Sequence, residues 1–521
     1  MILIKLSNLS GLFFIALISF ITLLAFYGLI AFNRQGADLS LLQDSYFHAI
    51  LIFSIKQALL SAFLATFLAW PIARAIYYYP KIFLKDTFLS LALLCFVLPT
   101  LVLITGFVSL FGLSGIITPF LGDDWSLYGI QGILIAHVYM NLPFAVRALH
   151  NQLQNIPDSS WILSRQLKFN ALRRLLLIEW PALRATLSLT FGFIVILCFN
   201  SFAVVLALGG GPQATTLEVA IYQALKYDFN ISEALTLAWT QFFIAGIFFV
   251  ALYRSSGASW LSKESSTKLW LPAISTTNKA FFLALYGSCF IFMLLPLLSL
   301  LPGVLAANYT PGLLINVGQA LALSLLLGFL AALIAMLIAY FIMLPIRHCN
   351  TLKKQRLQNT LQWLANHTLI APAMVLSVGL YILFLPIIDL DRFGMFFVVI
   401  LNILLILPFA MQQIRARVIQ YDQDYAALYQ SLKLSFWQRF SIEWPYIKPT
   451  MLSTFSLVLL IAMGDVAIFS IFGSDQLKTL PWLIYQYAGS YRLNEASFAS
   501  AVLLIVYLLV LFNIQRVKKH A

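Results

Sequence analysis

The string Ile178-Glu179-Trp180-Pro181 returns 264 positions later as Ile442-Glu443-Trp444-Pro445, each copy in a basic segment between two long apolar runs. Other strings keep nearly the same spacing: Gln57-Ala58-Leu59 with Gln319-Ala320-Leu321, Leu142-Pro143-Phe144-Ala145 with Leu407-Pro408-Phe409-Ala410, and Ile221-Tyr222-Gln223 with Ile484-Tyr485-Gln486. Strings held in register across half a chain mean a duplication, so whatever the first half folds into, the second folds into again.

Hydropathy says what the halves are made of. With 61% hydrophobic and 10% charged residues, the chain lies far from a soluble globule, in which about 45–50% and about 25% are usual. A span needs ~20 apolar residues to cross a ~30 Å hydrocarbon core. Twelve runs come close: 11–32, 51–73, 87–111, 128–148, 186–207, 234–252, 280–304, 317–344, 361–385, 395–411, 450–472 and 497–514. Lipid offers no partner to an open backbone, so these runs are helices. The expected fold is an all-α integral membrane protein of about 12 transmembrane helices. Six helices per half is an even number, which preserves orientation and makes the repeats parallel. The expected divisions are a first helix and outer loop (1–49), a first domain (50–252), a Ser/Thr-rich linker (253–279), a seventh helix and outer loop (280–316), a second domain (317–512) and a tail (513–521).

The formal net charge of +13 invites a nucleic-acid reading, but its distribution answers otherwise. With the N-terminus placed in the cytoplasm, the loops of that side hold all but six of the 32 Lys and Arg residues, the six being Arg34, Lys56, Lys226, Arg392, Lys478 and Arg492. That bias reports orientation in a membrane, with both termini inside, and no nucleic acid. The four cysteines show neither disulfide nor metal-ligand spacing, so no metal site is expected.

The fourth and fifth helices of each half are joined by an unusually long connection. In the first half, Leu163, Leu167, Leu172, Leu175 and Leu176 recur at helical spacing between Arg165, Lys168, Arg173 and Arg174, and Pro181 ends the segment. Residues 421–448 repeat the pattern with Leu428, Leu432, Trp437, Phe440 and Pro445. An amphipathic helix of this kind either lies on anionic lipid or docks a partner. The duplicated Ile-Glu-Trp-Pro ending favours the partner.

At these residues the chain resembles the fused permease subunits of type I ABC importers, in the branch that carries ferric iron, thiamine and polyamines. Within that branch, Leu208-Gly209-Gly210-Gly211-Pro212-Gln213-Ala214-Thr215-Thr216 with Ala220-Ile221-Tyr222-Gln223, and Gly464-Asp465 with Thr479-Leu480-Pro481 and Tyr485-Gln486, are similar to the thiamine permeases. The chain departs from the family where Lys168 and Lys433 replace the loop glycine, and the second loop is one residue shorter before Glu443. No phosphate-binding Gly-Lys-Ser/Thr motif occurs, so the chain itself holds no cofactor. The resemblance implies that ATP and Mg bind two copies of a cytoplasmic ATPase subunit. These would grip the loops around Leu167, Lys168, Glu179 and Pro181 and around Leu432, Lys433, Glu443 and Pro445. It further implies a periplasmic binding protein that meets Gln213, Thr216, Tyr222, Gln223, Thr479, Tyr485 and Gln486, in a bacterial inner membrane.

Polar groups inside the spans mark a candidate path: His137, Asn141, Asn200 and Ser201 in the first half, Asn402 and Asp465 in the second. Ionisable groups at this depth are costly and face a cavity or a partner; hydrogen bonding between helices is the competing role. For thiamine, whose thiazolium is a fixed cation, Asp465 would be the counter-charge. Ferric iron and polyamines are the other cargoes of the branch. A one-chain secondary transporter of the major facilitator type would need an Asp-Arg-x-Gly core in the loop from Arg74 to Asp86, which lacks it.

Overall fold

The computed structural model describes residues 2–31, 39–122, 124–211, 214–255, 276–352, 354–369, 371–432, 434–474 and 477–519. Its helices begin with α1 (Ile2–Ala31), α2 (Ser45–Tyr78), α3 (Lys85–Val97), α4 (Thr100–Phe111), α5 (Ile130–Gln154), α6 (Asp158–Gln166) and α7 (Ala171–Arg174). There follow α8 (Trp180–Phe199), α9 (Ala203–Leu208), α10 (Leu217–Lys226), α11 (Ile231–Ser255), α12 (Thr276–Leu298), α13 (Leu300–Ala306) and α14 (Pro311–Thr351). The last are α15 (Gln355–Asn366), α16 (Ala373–Phe384), α17 (Leu390–Ser431), α18 (Phe436–Met463), α19 (Ala467–Phe472), α20 (Leu480–Gly489) and α21 (Leu493–Lys519). No strand occurs among the described residues. Most of the expected linker, 256–275, lies outside them.

Among the described residues, ten helices are long and apolar enough to cross a membrane. Two of the expected single spans are each a pair of helices. The run 87–111 is α3 and α4, bent by 105°, and 361–385 is α15 and α16 separated by a 3-10 turn at His367–Leu369. A proline stands at both breaks. Leu98 is extended, with ψ of 136°, because the ring of Pro99 disfavours helical backbone at the residue before it; Pro99 and Pro372 themselves precede α4 and α16 with ψ of 130° and 144°. The runs 186–207 and 450–472 are also interrupted, at Asn200–Phe202 and at Gly464–Val466. Asn, Ser and Asp side chains compete for the backbone there, and glycine lowers helix propensity.

The chain forms two compact units, Leu42–Val219 with Phe243–Ala307, and Met1–Leu41 with Ala220–Phe242 and Asn308–Ala521. In the first, α2 packs on α5 and α8, and α12 lies against α2 and α4. The approach of α12 needs a glycine: a Cβ on Gly106 would sit 2.2 Å from the Pro296 carbonyl oxygen. Ser299 donates to the Gly106 carbonyl at 2.9 Å and Tyr139 to that of Met293 at 2.7 Å.

The second unit repeats the device with α1. Helix α14 packs on α17 and α18, and α1 lies on α14 and α16. A Cβ on Gly379 would come within 2.2 Å of the Ala25 carbonyl, and one on Gly28 within 2.2 Å of that of Gly379. Gly106 and Gly379 each stand seven residues after the proline at the break. Thus the first apolar run of the chain joins the unit built on the second repeat, and the seventh joins the unit built on the first.

Candidate functional site

The first basic segment folds as helix, turn, helix. Trp161 of α6 is fully buried, its ring 6.0 Å from those of Tyr77 and Tyr78, so α6 is fastened to the end of α2. Leu163, Leu167, Leu172, Leu176 and Leu177 remain 53–60% exposed, an apolar row left open in a cationic segment. After Leu167, Lys168 takes φ +49°, while Phe169 N–H reaches Ser164 O at 2.9 Å and Lys168 N–H reaches Arg165 O at 3.0 Å. This pair of bonds closes a helix around a left-handed residue, normally glycine, and here the lysine adopts it. Asn170 then caps α7 by accepting from Arg173 N–H at 2.8 Å.

Between α7 and α8, Leu175–Glu179 forms a π-turn. A π-turn holds one residue more than an α-turn, and the first segment has one more residue between Lys168 and Glu179 than the second has between Lys433 and Glu443. The surplus residue is absorbed there, and Glu179 keeps its facing. In the second segment α17 runs unbroken to Ser431, and α18 starts from a capping box of Ser435 and Gln438. Leu428, Leu432 and Trp437 are exposed at 49%, 59% and 69%. Pro181 and Pro445 are exposed. Lys433 lies outside the described residues.

The glutamates of the duplicated string point inward. Glu179 is fully buried and takes both Arg74 Nε–H, at 2.7 Å, and Nη2–H, at 3.2 Å; Tyr78 O–H donates to it at 2.6 Å. Glu443 accepts from Arg347 Nη1–H at 2.6 Å, and the same guanidinium forks onto Asp422, with Nε–H to Oδ2 at 2.8 Å and Nη2–H to Oδ1. Arg74, Tyr78, Arg347 and Asp422 are not among the site residues expected from the sequence. Their signal is the similar Pro71-Ile72-Ala73-Arg74 and Pro345-Ile346-Arg347, arginines three and two residues past a proline at the end of an apolar run.

The helix breaks gather most of the polar path residues. His137 spans Ser61, at 3.1 Å from Nδ1, and Ser201, at 2.9 Å from Nε2. Asn141 donates to the His137 carbonyl at 2.8 Å and to Cys198 Sγ at 3.5 Å, while Asn200 stands at the C-terminus of α8. In the second unit Asp465 accepts from Ile468 and Phe469 N–H at 3.2 and 3.3 Å, capping α19. Asp465, Asn402, Ser324 and Thr479 line a cavity of about 10 Å³, the size of one water. The buried Asn402 Oδ1 and Thr479 Oγ1 have no hydrogen-bond partner among the described residues. The cavity beside Asp465 has no room for a thiazolium ring in this conformation.

The residues expected to face a binding protein are largely interior. Thr216, Thr479 and Tyr222 are buried, and Gln223, Tyr485 and Gln486 are half-buried. The backbone beside the two threonines is tied inward: Leu217 N–H donates to Ser54 Oγ at 3.0 Å and Leu480 N–H to Ser324 Oγ at 2.8 Å. Gln213 lies outside the described residues. What these segments expose is aromatic: Phe229, 79% accessible with φ +51°, after α10, and Tyr491, 93% accessible with φ +60°, after α20. No group of three or more His, Cys, Asp or Glu that could hold a metal ion occurs among the described residues.

Residues 348–519 match the family described as binding-protein-dependent transport system inner membrane component. Over nearly the whole chain the sequence is similar to thiamine transport system permease proteins. That of Haemophilus influenzae is 34% identical over 507 residues, 94% of this chain and 93% of the relative. Those of Brucella abortus, 32% identical over 496 residues, and Escherichia coli K12, 31% over 495, each cover 92% of this chain and 90% of their own.

Proposed function

The chain belongs to the family of inner membrane permeases of binding-protein-dependent transport, the thiamine transport system permease proteins among them, and from that membership we propose that it forms the membrane pathway of an ATP-driven thiamine importer. The observation that carries the cargo is identity of 31–34% spread over nine-tenths of both chains. It is a transport subunit, and ATP with its Mg is used by a separate ATPase. The two ATPase copies each receive one basic segment, through the exposed leucines around Leu167 and Leu432 and the cations Lys168 and Lys433, with Pro181 and Pro445 close by. Glu179 and Glu443 act from beneath that surface. The permease domains are 50–252 and 317–512, and both termini lie in the cytoplasm, as the distribution of Lys and Arg supports.

Cargo passes the helix breaks. Discontinuous helices at membrane depth are the usual place for a transported ion to meet protein dipoles. His137, Asn141, Asn200 and Ser201 supply neutral hydrogen-bonding groups, and Asn402 with Asp465 supplies the anionic end suited to a thiazolium. A periplasmic binding protein docks on the segments after α9 and α19, where Phe229 and Tyr491 provide the exposed contact and Gln213, Thr216, Tyr222, Gln223, Thr479, Tyr485 and Gln486 shape the surface from below.

The test is growth of a thiamine auxotroph lacking its own permease, given this chain with its ATPase and binding protein. The reading expects growth on limiting thiamine that is lost with Asp465→Asn. An assembled complex that supports no growth on thiamine contradicts it.

A further inference from the structure

We propose that Arg74 and Arg347 are positioning residues that weld each docking segment to a membrane helix, so that movement of the segment is carried to the polar cluster at the helix break. The inference rests on the docking reading above and gives it a mechanical path. Glu179 is fully buried and Glu443 is 4% exposed, so neither carboxylate reaches a partner, and the surface offered to one is leucine and tryptophan with the exposed cations Arg165, Lys168 and Arg173. Their chemistry is spent inside the chain, on an arginine at the far end of α2 or α14.

Those two helices lead to the path residues. Helix α2 carries Arg74 and, thirteen residues earlier, Ser61, the partner of His137, about 20 Å along the axis at 1.5 Å per residue. Helix α14 carries Arg347 and, twenty-three residues earlier, Ser324, which lines the cavity beside Asp465, about 35 Å along by the same rise. Each helix stays helical over that stretch although Pro71 or Pro345 lies within it, so a push at its end is carried along it, and a forked guanidinium fixes both distance and angle at that end, which a single ammonium does not.

The two welds differ in reach. Arg74 joins one carboxylate, after the segment, with Tyr78 adding a third bond. Arg347 joins Asp422 before the segment and Glu443 after it, so both ends of the second segment close on one cation. Lysine at position 347 can serve only one of the two carboxylates at full geometry, whereas lysine at 74 keeps its one partner. The second-half weld is therefore the more sensitive to that change.

The experiment compares Arg74→Lys, Arg347→Lys and the exchanged pair Arg74→Glu with Glu179→Arg in proteoliposomes holding the permease, its ATPase and its binding protein. The readout is ATP hydrolysed per thiamine imported, which a loss of folded protein lowers in both terms and leaves unchanged as a ratio. The expected result is a ratio raised about tenfold in Arg347→Lys, the effect of ~1.4 kcal/mol of lost coupling. A smaller rise is expected in Arg74→Lys, and a ratio close to the unmutated one in the exchanged pair. A ratio unchanged in both lysine variants overturns the proposal. Failure of the importer reading would show separately, as no ATP-driven uptake by the unmutated complex. In that case hydrogen exchange decides the weld: faster exchange in 171–183 together with the last turn of α2 in Arg74→Lys supports it, and unchanged exchange overturns it.

Discussion

Deleting one residue from each docking segment should have opposite consequences. In the first segment, removing Leu177, which is 60% exposed, takes away the residue that the π-turn Leu175–Glu179 accommodates. The helix from α7 into α8 becomes regular, Glu179 still faces Arg74, and little buried surface is lost, so the change stays within ~0.5 kcal/mol, as for a surface substitution away from special features. In the second segment no π-turn is present between Ser435 and Glu443. Removing the exposed Ser441 turns the preceding helix by ~100° relative to Glu443, the angle per residue at 3.6 residues per turn. The docking face and the Arg347–Glu443 bond can then no longer both be kept. Arg347 and Glu443 have side chains only 12% and 6% exposed, and breaking a buried pair costs ~3–5 kcal/mol. Unfolding of the two purified variants in detergent, followed by helical signal, reads the difference directly. Equal losses in the two deletions, or tolerance of both, would refute the assignment of the π-turn as the seat of the extra residue.

Three further outcomes follow from named contacts. Glu179→Ala should destabilise by ~3 kcal/mol, the low end for a buried pair because the Arg74 side chain is 22% exposed. Arg74→Met with Glu179→Ala should cost less than half of that; additive single effects in the double-mutant cycle would count against the pair. Lys168→Gly should gain ~0.5–1 kcal/mol, since a left-handed residue with a Cβ costs ~1–2 kcal/mol against glycine's added chain entropy of ~0.5–1 kcal/mol; a loss of unfolding stability contradicts the turn. Gly379→Val should unseat α1, because its Cβ would meet the Ala25 carbonyl at 2.2 Å, and protease access to α1 in detergent measures it; unchanged access refutes the close crossing.

The parts legible in the sequence are those written in local pattern. Long apolar runs gave the helices, matched offsets gave the duplication, and leucines spaced between cations mark the two segments that leave apolar side chains exposed. The breaks at Pro99 and Pro372 carry visible prolines, but a reading by run length absorbs them into single spans. The clamps escape because Arg74 meets a carboxylate 105 positions away and Arg347 one 96 positions away, and no periodicity relates such pairs. Thr216 and Thr479 look like surface groups because threonine is equally at home buried or exposed, and only the fold shows them buried beside backbone that bonds to Ser54 and Ser324. The seating of α1 on Gly379 is a matter of distance between backbones, to which sequence spacing is blind.

The most direct test of the account is uptake of labelled thiamine into proteoliposomes holding this chain, its ATPase and its binding protein, with and without enclosed ATP. The account predicts accumulation that needs both ATP and the binding protein. Uptake that follows a proton gradient with no ATPase present would contradict it.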